Sequence, residues 1–136
     1  RLRQRKADLG SGVFLRLVQA LLIPAFVRTR AQLFRRRLFR SLHESFEEID
    51  VLATPTLPCR VPRVGVESVD LGGETHSVPA ALLRHTSPFN LTGLPSITIP
   101  AERDPDGLPV GFQLSGAFGD DAGVLSAARC AERILS

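Results

Sequence analysis

The residue types that could carry out nucleophilic hydrolysis are few in this sequence, and they form no recognised pattern. Ser87, His85 and Asp50 could in principle form a set in which the histidine takes the serine proton. The sequence has no GxSxG motif, which would hold a nucleophilic serine on a sharp turn. We therefore predict no catalytic residue within this chain.

A lysine base, a metal site and a cofactor site are also not indicated. Lys6 is the only lysine and lies among charged residues, whereas a lysine base usually needs a desolvated site. Cys59 and Cys130 form no CxxC pair, no histidine stands at a metal-ligand spacing from either, and nothing in the sequence supports a Cys59–His76 pair. There is no GxGxxG, P-loop or HExxH motif. We predict two reduced thiols, no metal and no cofactor.

The elements that would have to position a site are clearest in residues 86–115. Ser87 is expected to cap a short helix over residues 88–92, because its hydroxyl can accept a backbone N–H hydrogen bond and proline suits the first helical position. Gly93 can adopt the left-handed conformation that ends a helix, and Pro95 prevents the helix from continuing. The pattern predicts one helical turn or two, followed directly by a strand.

Two strands and a turn are predicted after this helix. Ile97 and Ile99 alternate with polar residues, and the same period-two pattern returns at Val110, Phe112 and Leu114. Residues 104–107, Asp-Pro-Asp-Gly, have proline and glycine where a type I turn with a following left-handed residue uses them.

The remaining elements are predicted from hydrophobic spacing. We predict a helix over residues 13–23 that ends or kinks at Pro24, and a helix over residues 25–48 that buries one face. Residues 49–53 are a continuous apolar run, which is typical of a strand buried on both faces in an α/β layer. A loop-rich passage runs through Gly72-Gly73, and Asp120 or Asp121 is expected to cap a last helix.

Several of these segments resemble the C-terminal part of the amidase signature family, whose members are serine hydrolases of carboxamides. The matching strings are DVLATPTLPC, SPFNLTGLPSITIPAE and GLPVGFQLSG, with an arginine-rich helix before them and an acid-capped helix after them. The resemblance covers residues 28–135, while residues 1–27 match weakly. It implies an α/β fold, the C-terminal part of a mixed sheet with helices covering it.

The resemblance implies a serine nucleophile, a second serine on a cis peptide and a lysine base, which belong to a glycine- and serine-rich loop. The nearest strings, Gly10-Ser11-Gly12 and Gly72-Gly73, are not such a loop. The chain begins at Arg1 in mid-pattern and has no methionine. We therefore expect a single incomplete amidase domain over residues 1–136, with its nucleophile upstream.

The resemblance also places Thr86, Ser87 and Phe89 near the acyl-binding side of the cleft, as substrate-binding candidates. An alternative of equal weight is that Ser87 and Asn90 only satisfy backbone groups and Phe89 only fills core. Amidotransferase members of the family usually carry an acidic residue shortly before the position of Thr86. This chain has Leu-Leu-Arg-His over residues 82–85, which favours a general amidase.

Charge is unevenly distributed and bears on possible partners. Residues 1–40 hold eleven of the 17 basic residues against one acidic residue, Asp8. A nucleic-acid-binding module is one interpretation, but no stacking aromatic interleaves the arginines, so a solvated helix face is favoured. A non-catalytic partner, as a split or degenerate amidase half, is another alternative. The expected partners are a small-molecule amide and the missing N-terminal amidase portion, with no nucleic acid.

No signal peptide is visible in the sequence, so a cytoplasmic location is the default expectation. The longest charge-free apolar run near the start, residues 17–27, is interrupted by Gln19 and Pro24 and is shorter than the roughly 20 residues that a membrane-spanning helix needs. No transmembrane segment is therefore predicted.

Overall fold

The computed structural model describes residues 10–135. The chain divides into two compact units, Arg1–Arg35 and Arg36–Ser136. Lys6 and the arginines around it lie outside the described residues. The α/β fold class is confirmed by the helices and sheets of the second unit.

Ten elements follow one another along the described chain. They are α1 (Ser11–Leu21), α2 (Ala25–Ser45), β1 (Val51–Pro55), β2 (Ser68–Leu71), β3 (Glu74–Ser77), α3 (Val78–Leu83), α4 (Ser87–Thr92), β4 (Ser96–Arg103), β5 (Pro109–Gly116) and α5 (Asp121–Leu135).

The first unit consists of α1 and the start of α2. The predicted break is confirmed, since α1 ends at Leu21 and α2 begins one residue after Pro24. Apolar side chains of this unit remain exposed, among them Leu22 at 75% and Phe26 at 65%. Within residues 10–135, no single helix has the length and apolar composition to cross a membrane, and one bent pair, Gly12–Leu21 with Ala25–Ser45, meets that test together.

Helix α2 does not bury the face that its apolar spacing predicts. None of its described residues is fully buried, and Phe34 is 61% exposed. Leu38 and Leu42 are half-buried. In the second unit, the ring of Phe39 stacks on His43 and meets the edge of Phe118 at 5.8 Å between centroids. The expectation of a buried helix face is therefore wrong for α2.

The main sheet has three antiparallel strands in the order β1-β5-β4. The predicted strand at residues 49–53 is shifted, because β1 begins at Val51 and continues to Pro55. It occupies an edge of the sheet among the described strands, and it is half-buried rather than buried on both faces. An apolar run alone does not say which neighbours a strand will have.

The turn between β4 and β5 is confirmed as predicted. The Gly107 N–H donates to the Asp104 carbonyl at 2.8 Å, and Gly107 adopts a left-handed φ of 81°. The Asp104 carboxylate also accepts from the backbone N–H groups of Asp106 and Leu108 at 3.0 and 2.9 Å. This turn fixes the register of the β4–β5 hairpin.

A second hairpin, β2–β3, lies where a loop-rich passage was expected. Gly72 and Gly73 form its two-residue connection, with φ of 68° and 91°. Positive φ at both central positions defines the type I′ turn, which suits the twist of paired strands. The Gly-Gly pair between alternating residues was therefore a hairpin signal.

Helix α5 packs on one face of the main sheet. Asp120 is its N-cap, since its carboxylate accepts from the Gly123 N–H at 3.0 Å, as one of the two predicted caps. The core cluster consists of Ile99, Leu114 and Ala128, and partly buried apolar residues surround it. A Cβ on Gly116 would collide with the Val124 side chain, so the helix lies close against β5.

Candidate functional site

The face of the sheet opposite α5 is polar. The strand register places Thr54, Gln113 and Thr98 side by side across the three strands, and it places Ser115 beside Ser96 in the next row of the same face. The Ser96 and Ser115 hydroxyls are 2.7 Å apart, and Thr56 Oγ1 donates to Thr98 Oγ1 at 3.2 Å. Hydroxyl and amide groups therefore form a polar patch on this face, bordered by Leu52, which the register places beside Ser115.

A cavity of about 280 Å³ lies between this polar face and α4. Phe89 and Leu94 are buried and supply apolar surface. Hydroxyl and amide side chains supply the rest. The lining residues are Thr86, Phe89, Asn90, Leu94, Ser96, Thr98 and Gln113. No charged side chain is among them, so the cavity suits a neutral group.

The substrate-binding candidates from the sequence are only partly brought together. Thr86 and Phe89 line the cavity, and Ser87 does not. The predicted capping role of Ser87 is wrong, because Ser87 is already the first residue of α4 and Thr86 is the N-cap, with no side-chain cap hydrogen bond. The stop at Gly93 is confirmed, with φ of 79° and its N–H donating to the Phe89 carbonyl at 2.8 Å.

Gln113 is the most buried side chain around the cavity, at 3% exposure. Its Nε2 group donates to Thr54 Oγ1 at 3.4 Å and to the His85 carbonyl at 3.3 Å. It therefore links β5 to β1 and to the segment between α3 and α4. Gln113 therefore helps to position Thr86, which follows His85 and lines the cavity.

The ring of His85 gives the same segment a second attachment to β1. Its Nδ1 lies 2.8 Å from the Pro55 carbonyl oxygen, and since a carbonyl only accepts, Nδ1 carries the hydrogen. His85 is thus bonded to β1 backbone and not to a serine or an aspartate. The set of Ser87, His85 and Asp50 that could be written from the sequence has no hydrogen bonds among its members here.

The described residues also contain no metal-binding cluster. No group of three or more His, Cys, Asp or Glu side chains there could hold a metal ion. Cys59 is half-buried and Cys130 is exposed, and both are free thiols, as predicted.

Sequence reasoning missed most of the cavity. Leu94, Ser96, Thr98 and Gln113 were not singled out, and Asn90 was considered only as a backbone partner. A signal was available for three of them, because Ser96, Thr98 and Gln113 are the polar partners in the alternation of β4 and β5. The apolar face was inferred from that pattern, and the opposite face follows from it.

Comparison with known proteins agrees with this architecture. The family model described as Amidase matches residues 9–125. This chain belongs to the amidase signature family. Its strands and its α4 and α5 helices are therefore part of an amidase scaffold.

Three individual proteins illustrate the relationship. The chain is 38% identical over 104 residues to a fatty acid amide hydrolase of Oryza sativa subsp. indica, covering 76% of this chain and 17% of that protein. It is 35% identical over 104 residues to a fatty acid amide hydrolase of Medicago truncatula, again covering 76% and 17%. A crystal structure of an amidase superposes with a TM-score of 0.89 at 28% identity, covering 99% of this chain and 31% of that one. The chain thus spans less than a third of each relative.

Proposed function

We propose that this chain is the C-terminal segment of an amidase that hydrolyses a carboxamide C–N bond with a serine nucleophile located upstream of Arg1. The chain is then a single, catalytically incomplete amidase domain over residues 1–136. The family match over residues 9–125 supports this, together with the share of the relatives' length that the chain spans. The proposed substrate is a small-molecule amide, and the proposed location of the enzyme is the cytoplasm.

The cavity under α4 is the proposed contribution of this chain to the active site. Phe89 and Leu94 would contact the carbon part of the acyl group, and the Thr86 hydroxyl would face it from the start of α4. Ser87 stays a candidate next to that wall. The single observation that carries this proposal is that Thr86 and Phe89, which the family resemblance indicated as wall residues, line one polar cavity with buried Gln113.

The proposal is tested by expressing the complete reading frame that contains this chain beside the 136-residue chain alone. Ammonia release from benzamide is the measurement. We expect turnover by the complete protein, with a lysine and a glycine–serine loop encoded upstream, and none by the chain. Turnover by the shorter chain, or an upstream frame without such a loop, would contradict the proposal.

The wall residues are tested by substitutions in the complete protein. Thr86→Val keeps the shape and removes the hydroxyl, and we expect KM for benzamide to rise about fivefold with kcat nearly unchanged. Ser87→Ala should have a smaller effect, because Ser87 does not line the cavity. Thr75→Val, at an exposed position on β3, is the control for losing a threonine hydroxyl. Equal KM values for the Thr86→Val and Thr75→Val proteins would remove Thr86 from the site.

A non-catalytic partner is the second candidate, as one half of a split amidase. The exposed apolar side chains of α1 and α2 favour it, since isolated proteins rarely expose large apolar patches without a binding role. Co-expression with the product of the upstream DNA and co-purification is the test. A separate upstream product that forms no complex with this chain would exclude the split form.

A further inference from the structure

Gln113 has a hydrogen-bonding group that its structural role does not use. The orientation of its amide is fixed by chemistry, because the His85 carbonyl can only accept and must therefore face Nε2. Both Nε2 hydrogens have acceptors, Thr54 Oγ1 and the His85 carbonyl. The Oε1 atom, by contrast, accepts no hydrogen bond from the described residues.

This unpaired oxygen is not fully buried. Among the described residues, one buried side-chain polar atom lacks a hydrogen-bond partner, and it is His76 Nε2 on the β2–β3 hairpin. Gln113 Oε1 is therefore accessible although the whole side chain is only 3% exposed. The cavity between the sheet and α4 is the space that Gln113 lines. An accessible acceptor of this kind can pair with a donor on a group bound in the cavity.

The other polar groups of the sheet are largely occupied. Ser96 Oγ pairs with Ser115 Oγ, and Thr98 Oγ1 accepts from Thr56. Phe89 and Leu94 are buried apolar residues on the opposite side. A group that fits this cavity would thus be uncharged, with a donor toward Gln113, an apolar part against Phe89 and Leu94, and further hydrogen bonds open to Thr86 and Asn90.

We propose that Gln113 Oε1 is the acceptor of a subsite that binds an uncharged N–H or O–H donor in the acyl part of the substrate. The cavity and its acceptor are features of this chain. Only the identification of the bound group as a substrate rests on the proposed function. Gln113 would then determine specificity: an acyl group with a neutral donor is preferred over the same group with that donor methylated. A carboxylate would bind less well than the neutral donor, because it would face the Gln113 acceptor and no cationic side chain lines the cavity.

The size of the cavity is compatible with an aromatic donor. Its volume of about 280 Å³ exceeds the roughly 150 Å³ of an apolar protein cavity that binds benzene. Phenol and anisole form a matched pair of probes, because they share the ring and differ in the hydroxyl hydrogen that only phenol can donate. Neither has an amide bond, so binding is measured without hydrolysis.

The experiment is a titration of the 136-residue chain, and of the complete protein that contains it, followed by NMR. We expect phenol to bind about five- to tenfold more tightly than anisole, which corresponds to one neutral hydrogen bond, and to shift the side-chain amide resonances of Gln113. In Gln113→Met the preference should disappear. Thr92→Val, a control that removes another buried hydroxyl outside the cavity lining, should keep it.

Equal affinity for phenol and anisole in the unchanged chain would overturn the proposal, and so would a preference that persists in Gln113→Met. If Gln113→Met does not fold, the probe pair in the unchanged chain still decides. The experiments distinguish a failure of the Gln113 subsite from a failure of the proposed amidase function. A phenol preference in a complete protein that releases no ammonia from benzamide would retain the subsite and remove the amidase activity, and turnover without the preference would do the opposite.

Discussion

The two faces of the three-stranded sheet differ in polarity and in how closely they are packed. The face under α5 is apolar and closely packed, with Ile99, Leu114 and Ala128 buried at its centre. The face under α4 carries buried Gln113 and Ser115, a layer of hydroxyls and an open cavity. Adjacent residues of β5 therefore have different roles, because Leu114 packs in the apolar core while Gln113 and Ser115 belong to the polar face.

The two faces contribute differently to the stability of the fold, and the apolar face contributes more. Burying an apolar side chain stabilises a domain by about 1.5–3 kcal/mol, whereas a neutral hydrogen bond contributes about 1 kcal/mol net. A polar layer inside a sheet is therefore a weaker source of stability than an apolar one. Such an exchange is typical of a surface kept for binding.

The largest expected effect is on the apolar face. Leu114→Ala should lower the free energy of unfolding by about 2–5 kcal/mol, because it removes a buried side chain from the core cluster and leaves a cavity. Urea denaturation followed by far-UV circular dichroism is the measurement, since the chain has no tryptophan or tyrosine for fluorescence. A loss no greater than that of Ser115→Ala would break the comparison.

A pair of glycine substitutions in β5 compares how tightly the two faces are packed. In Gly116→Ala the new methyl group meets Val124, a stiff, buried side chain of α5, and we expect a loss of about 1–3 kcal/mol. In Gly111→Ala it meets Thr56 Oγ1 at 2.7 Å and Thr56 Cβ at 2.9 Å, and because a Cβ atom cannot rotate away, we expect a loss of similar size. Thermal unfolding of both variants is the measurement, and a much smaller loss in Gly111→Ala would show that the polar face is the more loosely packed one.

The smallest effect is expected for the hydroxyl pair of the polar face. Ser115→Ala should lower stability by about 1 kcal/mol, because its hydroxyl is fully buried against Ser96 Oγ at 2.7 Å. A double-mutant cycle with Ser96→Ala isolates the pair, and its coupling energy should be about 0.5–1.5 kcal/mol. A coupling near zero would show that the two hydroxyls are held by the sheet alone.

Local signals in the sequence were sufficient for part of this structure. The turn at Asp104, the cap at Asp120 and the stop at Gly93 were predicted because each is decided by residues within one turn of the chain. The Gly72-Gly73 hairpin carried an equally local signal that was interpreted as a loop. The fold class followed from these elements together with the family resemblance.

The cavity depended on information that is not local. Gln113 meets Thr54 and the His85 carbonyl, which are far from it in sequence and come together only through strand order. The edge position of β1 and the exposed face of α2 were missed for the same reason, since apolar spacing describes one element and not its neighbours. The candidates Thr86 and Phe89 were reached through the family resemblance, whereas Gln113 required the register.

The strand order also has a consequence for the path of folding. The β4–β5 hairpin already pairs Arg103 with Pro109, 6 positions apart, whereas β1 first reaches β5 across 57 positions between Pro55 and Phe112. Closing the longer loop costs about 2 kcal/mol more in chain entropy, which favours the hairpin as the earlier structure and β1 as the later addition. Since Thr54 and the Pro55 carbonyl belong to β1, the bonds that orient Gln113 and His85 would form last. The floor of the cavity would then take shape only as the sheet is completed.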